Sequence, residues 1–106
     1  MSEQPTGLRR RLTMAEVRAH RDEIAVAAQC HGVRQVRVFG SVARGEATDD
    51  SDLDLLVDVE PGTGMFRLTG FALAVEELLG VHTQLATPAG LKPWLKEHIL
   101  AEATPL

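Results

Sequence analysis

The chain has 106 residues, enough for one domain with a modest core and no need of staples. Its net charge of -4 gives no sign of direct nucleic-acid binding, and its one cysteine, Cys30, excludes an intrachain disulfide and suits a reducing, cytoplasmic setting. No apolar run is long enough to span a bilayer, and "MSEQPTGLRRRLT" lacks the apolar stretch of a signal peptide, so no membrane association is expected.

Residues 1–12 read as a flexible N-terminal tail, with Arg9 to Arg11 as a solvated basic run, and 13–106 as the domain. "TMAE" at 13–16 is a capping box, in which Thr13 caps and Glu16 reaches back. Met14, Val17, Ile24, Ala25 and Ala28 then recur on one face, which predicts a helix over 13–31 that Gly32 ends. "VRQVRVF" (33–39) alternates and is rich in valine, so it reads as a strand. Ser41 is the expected N-cap of a short helical turn over 42–45.

"DLDLLVDV" (52–59) is the second expected strand. Leu53, Leu55, Val57 and Val59 line one face; Asp52, Asp54, Leu56 and Asp58 line the other. "EPGTG" is a loop, and a helix over 65–79 follows, with Leu68, Phe71, Ala72, Val75, Leu78 and Leu79 marking its apolar face and Gly80 its end. Phe66 and Phe71 are both expected in the core. "VHTQLAT" (81–87) is the third strand, and after Pro88 and Pro93 a last helix carries Leu95, Ile99 and Ala103. The order α-β-(short α)-β-α-β-α describes a small mixed α/β (α+β) sheet with helices packed on one face.

Two carboxylates at the start of a core strand call for compensation. Asp52 and Asp54 point the same way, with Cα atoms roughly 6.5 Å apart, and can converge on one hard cation or on two cations about 3.5–4 Å apart. Upstream, Gly40 lets the backbone approach a ligand closely, Ser41 offers a hydroxyl, and the N–H groups at a helix start attract phosphate oxygens. Arg44, a turn later, reaches either a phosphate or a neighbouring carboxylate, Glu46 or Asp49. Phosphate donors on one side and metal ligands on the other make a site for metal-assisted attack on a nucleoside triphosphate. Asp49 and Asp50 read as loop polars, Ser51 as a residue that orders the loop, and Cys30-His31 as ordinary packing.

"GSVARGEATDDSDLD" resembles the signature of the polymerase-beta-like nucleotidyltransferases: Gly-Ser, ten residues, then Asp-x-Asp. The flanks and the tail "GLKPWLKEHILAEATPL" are similar to the minimal nucleotidyltransferase (MNT) branch. The resemblance implies the polymerase-beta-like nucleotidyltransferase fold, Mg²⁺ as cofactor, ATP as substrate and transfer of a nucleoside monophosphate. It implies Gly40 and Ser41 as the triphosphate-contacting pair, and Asp52 and Asp54 as the two metal ligands. Many MNT proteins are antitoxins of a HEPN-type toxin, some by adding AMP to a toxin tyrosine, so a protein partner is expected, with oligomer or hetero-complex left open. One position departs from the pattern. Where the family carries a third carboxylate on the next strand, "LGVHTQLAT" places Gln84, which is neither a base nor a strong oxygen ligand. Asp58 lies roughly 13 Å of strand beyond Asp54, too far to substitute. The leading expectation is an AMP-transferring enzyme acting on a partner protein. The alternatives are a catalytically weakened fold that neutralises the toxin by binding, and a small-molecule nucleotidyltransferase.

Overall fold

The computed structural model describes residues 11–106. The residues expected as a tail lie mostly outside this range, although Leu12 is buried in the core. Thr13 caps α1 (Met14–Ala19): its hydroxyl accepts from the Glu16 N–H at 3.2 Å and the Glu16 carboxylate accepts from the Thr13 N–H at 3.0 Å. The expected single helix over 13–31 is instead two, because α2 (Arg21–Cys30) begins after a break at His20. At the break the His20 ring, through Nδ1, lies 3.1 Å from the Glu16 carbonyl, the acceptor that the His20 backbone N–H would use in a continuous helix. That N–H turns to the Val17 carbonyl instead.

Strand β1 (Val33–Phe39) runs antiparallel to β2 (Leu53–Val59), joined through the short helix α3 (Gly40–Arg44). Helix α4 (Met65–Leu79) ends at Gly80 with φ 72°, a left-handed conformation that a side chain opposes. It carries the chain over to β3 (Thr83–Ala86), parallel to β2. A 3-10 turn (Pro88–Gly90) and α5 (Pro93–Glu102) follow. A two-residue strand β4 (Thr104–Pro105), not foreseen from the sequence, then pairs with β1. The sheet order is β3-β2-β1-β4. Proline suits β4 because an edge strand has no second neighbour to serve.

Leu53, Leu55 and Val57 are fully buried with Val38 of β1, beneath Val17, Ile24, Phe71 and Val75. A β-bulge between Val33 and Gln35 shifts the alternation of β1, so that Val36 and Val38 face this core and Arg37 and Phe39 the other side. The other face is not bare. Leu56, which alternation places there, is fully buried outside the main core cluster, and the 3-10 turn packs on β2. Phe71 is core as expected, but Phe66 is 93% exposed: it sits one residue after Met65, at the start of α4, off the stripe formed by Phe71, Val75 and Leu79. Trp94 is exposed as well.

Candidate active site

The register assembles the acidic row. Phe39 pairs with Asp54, and Asp54 with Gln84, so three strands place these side chains on one sheet face. Asp52 sits just before β2, on the same face as Asp54. The Gln84 amide donates to Asp52 Oδ2 at 2.9 Å. The position where a third carboxylate was expected therefore does point at the acidic pair, and it offers a donor instead of a charge. His82 turns away to Glu76 at 2.9 Å and is exposed. Asp58 is taken by Arg37 at 3.4 Å, further along the strand.

Burial first, and the Asp52 charge second, push the Asp54 carboxyl above its ordinary range; Glu102 adds to this and Arg44 opposes it. A half-buried carboxylate with an acidic neighbour is relieved by a cation. Among the described residues no cluster of three or more His, Cys, Asp or Glu side chains is arranged to hold a metal. Asp52 and Asp54 on one face are a donor set that a hard divalent cation can take, its shell completed by water and substrate phosphate oxygens.

The phosphate side differs from the sequence expectation in detail. Ser41 is not an N-cap: α3 begins at Gly40, after Phe39, with no side-chain cap, and Ser41 lies in its first turn. Gly40 has φ 77°, and a Cβ there would collide with Asp54 Oδ2. The glycine is thus required by its left-handed backbone and by its packing against Asp54. The ten-residue connection is ordered by Ser51, whose hydroxyl accepts from the Thr48 N–H at 2.9 Å.

Arg44 is held by two carboxylates, Glu46 at 2.9 Å and Glu102 at 3.0 Å, and not by Asp49. Glu102 was absent from the sequence reading. It also accepts the Gly40 N–H at 2.7 Å. Burial raises its carboxyl pKa, but the Gly40 N–H and the Arg44 guanidinium outweigh this and hold it below the ordinary glutamate range. A signal was available: Glu102 lies three residues after the buried Ile99, and a carboxylate in the last turn of a helix opposes that helix's own dipole. Such a residue calls for donors from elsewhere in the fold.

The nucleotidyltransferase domain family matches residues 18–106. The chain belongs to that family. It is 36% identical over 95 residues to the protein adenylyltransferase MntA of Thermococcus cleftensis, covering 86% of this chain and 93% of the relative. A solved structure described as a minimal nucleotidyltransferase superposes with a TM-score of 0.80 at 46% identity, covering 90% of this chain and 97% of that one. The polymerase-beta-like minimal nucleotidyltransferase fold expected from the Gly-Ser and Asp-x-Asp spacing is therefore the fold of this chain. A toxin–antitoxin structure with AMP-PNP shares the fold at 15% identity and a TM-score of 0.67, over 79% of this chain and 69% of that one.

Proposed function

We propose that this nucleotidyltransferase is a protein adenylyltransferase that uses Mg-ATP to place AMP on a hydroxyl of a HEPN-type toxin, acting as its antitoxin in the cytoplasm. The observation that carries the reading is the row Asp54–Gln84, with Asp52 beside it and Gly40 packed against Asp54. The similarity to the Thermococcus adenylyltransferase supplies the protein acceptor.

In this reading Asp52 and Asp54 hold Mg²⁺, which supplies positive charge to the phosphates. Gly40, Ser41 and Arg44 orient the triphosphate through backbone N–H, hydroxyl and guanidinium donors. The acceptor oxygen bonds to the α-phosphorus, the bond from that phosphorus to the bridging oxygen breaks, and pyrophosphate leaves. The acceptor proton goes to a carboxylate or to water, because the Gln84 amide takes no proton.

The chain has no Tyr, so a tyrosine acceptor belongs to another protein. Exposed Met65, Phe66 and Leu73 on α4 suit contact with a protein partner. Among the described residues no helix is long and apolar enough to cross a membrane. The test is incubation with ATP, Mg²⁺ and the toxin, followed by intact mass. A gain of one or more AMP masses on the toxin is expected. Silencing of the toxin with no mass change would favour the binding-only alternative, for which Gln84 is the motive.

A further inference from the structure

We propose that Glu102 is a gate on the triphosphate site, a residue that sets nucleotide affinity by occupying the place of a phosphate. The proposal rests on the nucleotide-binding reading above. One Glu102 oxygen accepts the Gly40 N–H at 2.7 Å, and both oxygens meet Arg44 Nη1, at 3.0 and 3.2 Å. A backbone N–H and a guanidinium converging on one anion are the donors a phosphate oxygen would use. The anion here comes from a residue 62 positions later in the chain.

Two features make the carboxylate a displaceable occupant. It stands at the last residue of α5, where the helix dipole disfavours it. And Arg44 keeps a second partner, Glu46 at its Nε, which holds the guanidinium in place while Nη1 exchanges Glu102 for phosphate.

The experiment titrates the full chain with Mg-AMP-PNP, with inorganic tripolyphosphate and with adenosine, by calorimetry. Glu102→Ala is expected to bind Mg-AMP-PNP and tripolyphosphate at least tenfold more tightly than wild type, with adenosine unchanged. Glu102→Gln, which keeps an acceptor for Gly40 but not the charge, should fall between. Glu97→Gln, an exposed carboxamide on the same helix, should behave as wild type. If Glu102→Ala does not fold, Glu102→Gln and the wild-type Gly40 amide resonance decide: the resonance must shift when tripolyphosphate is added. Equal or weaker triphosphate binding by folded Glu102 variants, or an unmoved Gly40 amide in a wild type that binds, overturns the gate. Wild-type binding that Asp52→Asn with Asp54→Asn removes upholds the nucleotide site independently. If neither wild type nor variants bind, the nucleotide reading fails and the gate with it.

Discussion

The two faces of the segment 52–59, which contains β2, are built from the same eight residues and solve opposite problems. On one, Leu53, Leu55 and Val57 lose all contact with solvent beneath α1, α2 and α4. On the other, Asp52, Asp54 and Asp58 stay half-buried, and burial together with the Asp52 charge raises the Asp54 carboxyl above its ordinary range. The first face stabilises the domain; the second carries the charge that the proposed site would use.

The sharpest way to break this comparison is to remove charge from the second face. Asp52→Asn with Asp54→Asn should cut AMP transfer by about a thousandfold or more, since charge stabilisation by a metal is worth several kcal/mol. The same variant should unfold at a temperature no lower than wild type when no metal is added. The sign follows from Asp54: its folded carboxyl titrates above the ordinary 3.8, so wild type loses stability as pH rises from that value through the raised one. The Asn variant should lack that decline. A lower melting temperature at neutral pH, read by calorimetry, would mean the carboxylates hold the fold together.

Next comes the first face. Leu55→Ala should destabilise by about 2–5 kcal/mol through an unfilled core, measured by urea unfolding, while a folded remainder keeps metal-dependent nucleotide binding. Gln84→Asp sharpens the contrast at the third position. It replaces the donor to Asp52 with a third charge, so the metal-free protein should melt at a lower temperature and added Mg²⁺ should raise it by more than in wild type. Transfer should rise, by about 10²-fold if the new carboxylate serves as a base. An unchanged rate, with the metal-induced shift present, would show that two carboxylates suffice.

Gly40→Ala tests where the faces meet. The left-handed backbone alone disfavours a side chain by about 1–2 kcal/mol, and the clash with Asp54 adds to that. Stability and nucleotide binding should therefore fall together, which a purely phosphate-contacting glycine would not show. The smallest effect belongs to Phe66→Ala, which should change stability by less than about 0.5 kcal/mol because the ring is exposed. Loss of toxin association in that variant, by pull-down, would place the partner on α4.

The sequence by itself determined the elements whose signals are local. The Thr13–Glu16 box, the 65–79 helix with its glycine stop, the alternation that separates Leu55 from Asp54, and the spacing from Gly-Ser to Asp-x-Asp all depend on residues a few positions apart. Only the tertiary structure decided the rest. The first helix breaks at His20, a turn that periodicity does not encode. Phe66 is exposed because its place on α4 looks away from the sheet. β4 exists only because β1 offers it an edge. Glu102 reaches Gly40 and Arg44 across some sixty residues of chain, and no local pattern couples those positions. Hydrophobic periodicity records which way a side chain points from its own element. It does not record which distant donor that side chain will find when the elements pack.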